Sequence, residues 1–349
     1  MTETRDFQNR NPIFTYLLMA MNVLAFLIVE WLGSSTDTFF MIQMGAKYNP
    51  LIVAGEYWRL LTPMFLHFGG LHLLMNMVFL FVMGSSVERI FGAWRFLLIY
   101  FGAGLLGTLS SFAFVSAVSA GASGANFGLM GALLYLALRQ REFGVVIATR
   151  QVVLVIVLNL AFGFWSGLNI DNAGHIGGLL AGFCFAMILG LQGFRYFTRR
   201  FVGVTLLFTL ASVLFMQGFH RPLSGADIQF GVVQAVQAVD TGDYERADFY
   251  LKPLMNTDEP LVFVAAGYSA LNQKNYDRAA YYLEIAIQDG ERLGDEQLAD
   301  TLSWLSEAYF LIGEADLAIT TVEQALEMEP KNPIYQGQLR NYQEKKGSS

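Results

Sequence analysis

The stretch GASGANFGLMGALL, residues 121–134, lies within a strongly apolar chain, yet it places Ser123 between Gly121's turn and Gly124, with Asn126 one turn on. Polar groups inside a membrane helix are costly and face a protein interior or a water-filled cavity. Ser123 therefore needs a partner from elsewhere in the chain.

Composition sets the class. The chain is 54% hydrophobic and 15% charged, against roughly 25% charged in ordinary globular domains. Its one cysteine, Cys184, excludes a disulfide framework and a cysteine-built metal site. Residues 1–219 carry a net charge of +4 and residues 220–349 carry −11, giving the total of −7. An apolar, slightly basic part followed by an acidic part reads as a membrane domain with a water-soluble tail. No nucleic-acid partner is implied.

A spanning helix needs about 20 mostly apolar residues. Seven stretches qualify: 13–34, 63–83, 97–117, 123–139, 151–168, 173–193 and 201–219. The first is too long for a signal peptide and lacks a small-residue cleavage site after it. The seventh is diluted by Thr205, Thr209, Ser212 and Gln217. The expected class is all-α: a polytopic helix bundle of six helices, a seventh helix, and a soluble helical-repeat domain. The corresponding boundaries are 1–12 for a short N-terminus, 13–200 for the core, 201–219 for the seventh helix and 220–349 for the tail.

Arginines orient such a bundle. Arg5, Arg10, Arg89, Arg95, Arg139, Arg141, Arg150, Arg195, Arg199 and Arg200 all fall on one side if the N-terminus is cytoplasmic, whereas the opposite loops keep Lys47 and Arg59. A multi-pass cell-membrane protein with an extracytoplasmic tail follows from seven spans.

Depth then groups the polar residues. Ser123 opens the fourth span from the outer face. His175, in DNAGHIGGLLAG (171–182), opens the sixth from the same face. The second span enters there too, through FLHFGGLHLLMN (65–76), where His72 and Asn76 share one helix face. A serine hydroxyl is a weak nucleophile until an adjacent base takes its proton. Acyl transfer also needs donors aimed at the oxyanion, which His72, Asn76 and the Ser123 N–H supply. Asp171 is the sole aspartate near this depth and lies in a loop, so a Ser–His dyad fits better than a triad.

Glycines support that pairing. Gly174, Gly178 and Gly182 repeat every four residues, as do Gly124 and Gly128, the small-xxx-small spacing of close membrane-helix contact. Gly121 lets the chain turn before Ser123. Phe127, one turn after the serine, is placed to pack on the imidazole. His67 and Asn126 read as structural and His220 as a surface residue.

These residues resemble the rhomboid intramembrane serine proteases over 57–193. YWRLLTPMFLH (57–67) is similar to the first-loop Trp-Arg motif, HLLMN (72–76) to the His-xxx-Asn of the second helix, GASG (121–124) to Gly-x-Ser-Gly, and HIGGLLAG (175–182) to the histidine with its glycines. The resemblance implies a six-helix core cleaving transmembrane proteins within or near the bilayer. It implies Ser123 as nucleophile, His175 as general base, His72, Asn76 and the Ser123 N–H as oxyanion donors, and Phe127 stacked on His175. Glu56, Trp58 and Arg59 would stabilise the first loop. No metal, nucleotide or organic cofactor is needed. Asn126 departs from the family, which usually carries an aliphatic residue there. It sits beside the catalytic turn and bears on rate or selectivity without removing a catalytic group.

In the tail, GDYERADFYL (242–251), KNYDRAAYYL (274–283) and GEADLAITTV (313–322) look like copies of one element, with Ala247, Ala279 and Ala318 in register. Tetratricopeptide repeats recur at about 34 residues. The longer second interval is ascribed to QDGERLGDEQ (288–297). Such repeats bind peptides or protein segments, so a recruiter of substrate or partner is expected. The architecture resembles rhomboids of Gram-positive bacteria. Two other readings remain: a non-cleaving rhomboid-like protein that binds membrane clients, and a transporter, which would carry ionisable groups across the bilayer rather than at one depth.

Overall fold

A computed structural model of the chain describes residues 11–140, 147–165, 170–191, 197–220 and 223–347. Arg5, Arg10, Arg141 and Arg195 of the charge pattern, and the ends of the fifth and sixth candidate spans, lie outside the described residues. The chain divides into two compact units, Met1–Pro222 and Leu223–Ser349. Both are helical, and among the described residues the sole β-type pairing is an isolated bridge between Lys47 and Ser119.

In the first unit, α1 (Ile13–Leu32) leads to a loop region holding α2 (Thr38–Gln43), α3 (Asn49–Val53) and two 3-10 turns, Tyr57–Leu60 and Thr62–Phe65. The second span is continuous from Gly70 to Phe91: α4 (Gly70–Phe79), a π-helical turn at Leu80–Gly84, and α5 (Ser85–Phe91). Then come α6 (Ala93–Phe114), α7 (Ser123–Leu138), α8 (Thr149–Trp165), α9 (Asn172–Leu189) and α10 (Phe197–Phe219). Among the described residues, five stretches have the length and composition to cross a membrane: Ile13–Leu32, Gly70–Phe91, Ala93–Phe114, Asn172–Leu189 and Phe197–Phe219; α7 and α8 are shorter apolar helices.

The bounds of the second and third expected spans move. The second helix starts at Gly70, not at residue 63, because Thr62–Phe65 winds as a 3-10 turn and Gly69 takes φ +80°. It ends at Gly92, φ +86°, so the third runs Ala93–Phe114 rather than 97–117. Hydropathy alone does not see these breaks, which rest on glycines adopting a left-handed backbone. In α10 one of the hydroxyls that dilute the pattern is satisfied internally: Thr205 Oγ1 donates to the Phe201 carbonyl at 3.0 Å. A hydroxyl satisfied in this way is tolerated in lipid.

α7 packs between α6 and α9 at the middle of the unit. Leucines, valines and phenylalanines of α1, α8 and α10 are largely exposed, as expected of side chains that meet lipid. Buried polar groups hold the periphery to the centre. Pro12 gives α1 no side-chain cap, leaving its first N–H groups without acceptors. Glu88 of α5 supplies them in trans, accepting from Phe14 N at 3.0 Å and from Thr15 N and Oγ1 at 2.7 Å each.

The second unit is a chain of helical hairpins: α11 (Gly225–Asp240) with α12 (Tyr244–Leu251), α13 (Pro260–Asn272) with α14 (Tyr276–Gln288), and α15 (Asp295–Ile312) with α16 (Ala315–Met328). α17 (Pro333–Gly347) packs last, burying Tyr335 and Tyr342 against α15 and α16. The three hairpin turns are built alike. Gly242, Lys274 and Gly313 take φ of +76°, +60° and +96°. Each donates to the carbonyl three residues back, and the next residue donates five back: Asp243 to Ala238, Asn275 to Ala270, Glu314 to Tyr309. That is the Schellman arrangement of a helix C-terminus. Ala247, Ala279 and Ala318 are each fully buried one turn later, where a larger side chain would push the two helices of a hairpin apart.

Candidate active site

Three helix N-termini converge in the first unit. Ser123 is the first residue of α7, His175 the fourth of α9 and His72 the third of α4. The first N–H groups of a helix have no intrahelical acceptor and carry its positive dipole end. This end of the bundle therefore favours negative charge before any side chain is counted.

α7 and α9 meet backbone to backbone. A Cβ on Gly178 would lie 2.1 Å from the Gly124 carbonyl oxygen, and one on Gly182 would lie 2.0 Å from that of Gly128. That closeness brings His175 Nε2 to 2.9 Å from Ser123 Oγ. Phe127 backs the imidazole, its ring stacked at 4.2 Å between centroids and 12° between planes. Among the described residues His175 Nδ1 has no hydrogen-bond partner. Asp171 does not reach it, and instead caps α9 by accepting from Gly174 N at 2.8 Å.

Gly121 takes φ +141°, and a Cβ there would sit 3.0 Å from His72 Nε2 and 3.7 Å from Ser123 Oγ. The glycine thus leaves room for the His72 ring against the serine's turn. Asn76, one turn below His72, donates from Nδ2 to the His72 carbonyl at 3.0 Å. A small cavity beside Ser123 and His175 is walled by Met64, Gly104, Thr108, Gly121, Asp171 and Gly174. Ser123, His175, His72, Gly121, Gly124, Phe127 and Gly178 therefore come together, with Asn76 just beneath and Gly182 one turn along the same helix contact.

Trp58 and Arg59 do not line that cavity; they hold the loop beside it. Arg59 Nη1 donates to the carbonyls of Ile42 and, at 3.1 Å, Ala46, while Nε donates to Glu56 at 2.7 Å. The guanidinium lies 4.4 Å from the Trp58 ring centroid. Burial lowers the Arg59 pKa, and Glu56 opposes that shift.

Three residues gain roles that sequence reading did not give them. Lys47, counted there only as a loop charge, is fully buried and donates to the carbonyls of Val115 and, at 2.9 Å, Ala117. With its backbone pairing to Ser119, it ties the first loop to the segment entering Ser123. His67 Nε2 accepts from Ala122 N at 3.4 Å and meets His72 edge-on at 5.3 Å. Asn126 donates to both Oδ1 and the backbone oxygen of Asn76, at 3.1 Å each. No local pattern marks Lys47 or His67. Asn126 carried one signal, an amide one turn after the serine.

Residues 54–192 match the Rhomboid domain. The chain is 39% identical over 333 residues to Rhomboid protease GluP of Bacillus subtilis, covering 95% of this chain and 57% of that protein. It is 31% identical over 182 residues to Putative rhomboid protease YdcA of the same organism, covering 51% of this chain and 88% of that protein. Rhomboid-like protease 1 of Toxoplasma gondii is 34% identical over 196 residues, 50% of this chain and 66% of that protein. The chain thus spans 57% and 66% of the lengths of GluP and the Toxoplasma protein.

Proposed function

The chain belongs to the rhomboid family, and from that premise we infer that it is an intramembrane serine endopeptidase acting on transmembrane proteins in the bilayer through a Ser123–His175 dyad. The observation that carries this reading is the 2.9 Å separation of Ser123 Oγ and His175 Nε2 under the Phe127 stack.

Ser123 Oγ passes its proton to His175 Nε2 while bonding to the scissile carbonyl carbon. The carbonyl oxygen becomes an oxyanion, met by the Ser123 N–H at the positive end of α7 and by His72 and Asn76 of α4. His175 returns the proton to the departing amine, leaving an acyl ester on Ser123. Water then gives a proton to His175, attacks the ester and frees the serine. The partnerless Nδ1 suits a dyad, since no carboxylate is required to orient the ring. A substrate helix must unwind locally at the cleaved bond, because an intact helix shields its peptide carbonyls.

The N-terminus is read as cytoplasmic and the tail, residues 220–349, as extracytoplasmic. The three alike hairpins support a tetratricopeptide-type tail that recruits substrate or partner through a peptide segment.

Cleavage of a reporter transmembrane helix in liposomes tests the reading. Wild type should cut, and Ser123→Ala and His175→Ala should not. Equal cutting by all three proteins would refute the dyad. Binding of the reporter by all three without any cutting would favour the client-binding alternative.

A further inference from the structure

We propose that Asn126 is a positioning residue for the reaction, locking the Asn76 carboxamide with its nitrogen, not its oxygen, available to the oxyanion. The proposal rests on the reading of Asn76 as an oxyanion donor.

The geometry leaves one arrangement of the two amides. Asn76 Nδ2 lies 3.0 Å from the His72 backbone carbonyl and Asn126 Nδ2 lies 3.1 Å from the Asn76 backbone carbonyl. Backbone oxygens only accept, so each contact identifies a nitrogen. The remaining contact, Asn126 Nδ2 to Asn76 Oδ1 at 3.1 Å, then follows as donor to acceptor. Were the Asn76 amide turned over, its NH₂ would face the NH₂ of Asn126, and its oxygen would face the His72 carbonyl. Both contacts would become repulsive.

A freely turning carboxamide would present an oxygen to a developing negative charge part of the time. The His72 carbonyl disfavours that state, and Asn126 adds the second contact that excludes it. It does so at a cost, because its own Oδ1 is buried without a hydrogen-bond partner among the described residues. An aliphatic residue at this buried site on α7 would remove that penalty but leave Asn76 Oδ1 without its donor. The amide is therefore poorly explained by packing and well explained by what it holds. The same helical turn thus serves both halves of the site: Asn126 grips Asn76 while Phe127 backs His175.

The experiment is a double-mutant cycle on Asn126→Leu and Asn76→Ala, with kcat and KM measured on a reporter transmembrane helix in liposomes and thermal unfolding followed on the same proteins. Asn126→Leu should lower kcat about tenfold, less than the 10²–10³-fold typical of deleting an oxyanion donor itself, with KM unchanged and Tm little changed, since the Asn76 Oδ1 left without its donor offsets the relief of the Asn126 Oδ1. In the Asn76→Ala background it should cost nothing further. An equal loss in both backgrounds, or a loss that tracks Tm, overturns the proposal. If Asn126→Leu fails to fold, Asn126→Ala, which removes the donor without adding bulk, is read by the same criteria. Wild-type cutting by Asn76→Ala alone would instead remove Asn76 from the oxyanion site, a failure of the underlying reading visible before Asn126 is touched.

Discussion

Gly178 of α9 sits so close to Gly124 of α7 that an added Cβ would lie 2.1 Å from the Gly124 carbonyl oxygen and 3.2 Å from its Cα. All the obstructing atoms are backbone, so no side-chain rotation relieves the clash. Gly178→Ala must push the helices apart, at about 1–3 kcal/mol or more. Ser123 and His175 separate with them, and a shift near 1 Å costs roughly 10²-fold in rate. Reporter cleavage should fall by about that factor. Gly337→Ala in α17, whose Cβ would meet nothing within 4 Å, should leave cleavage unchanged and raise tail stability by up to about 1 kcal/mol.

Glu88 offers two carboxylate oxygens to three donors at the start of α1. Glu88→Gln replaces one of those oxygens with NH₂, so at least one donor faces another donor. A loss of about 1.5–3 kcal/mol is expected, read as a lower thermal midpoint in detergent with the dyad geometry unaltered. An unchanged midpoint would mean that α1 is held by its apolar contacts alone.

Arg59 serves two carbonyls, Glu56 and the Trp58 ring at once. An ammonium cannot reproduce that planar fork. Arg59→Lys should therefore lose nearly as much cleavage as Arg59→Ala, roughly tenfold for each bond of about 1.4 kcal/mol removed. Full activity in the lysine variant would show that charge alone suffices.

Lys274 occupies a left-handed turn position that glycine fills in the other two hairpins. The strained φ costs about 1–2 kcal/mol, and glycine gives back about 0.5–1 kcal/mol in backbone entropy. Lys274→Gly should stabilise the tail by about 0.5 kcal/mol, seen as a shifted denaturant midpoint for its unfolding.

The side of the tail can be read by thiol labelling, because the one native cysteine, Cys184, is buried. Ser349→Cys should react with an impermeant reagent on intact cells. Reaction only after lysis would place the tail in the cytoplasm and α10 outside the set of spans.

The class of this protein is legible without coordinates. Runs of apolar residues near bilayer length, the acidic turn at residue 220 and the glycine spacing around Ser123 and His175 are local patterns, and local patterns survive without coordinates. Periodicity also exposed the repeated alanines of the tail, because each must sit at one place in its hairpin. What it missed depends on partners far apart in the chain. The second helix begins at Gly70 because of a left-handed turn at Gly69 that hydropathy does not register. Lys47 reads as a surface charge until Val115 and Ala117 are brought to it. Asn126 reads as a tolerated polar residue until α4 lays Asn76 against it, 50 positions away. Tertiary structure alone decides such cases, since a buried polar group is defined by whichever distant donor or acceptor satisfies it.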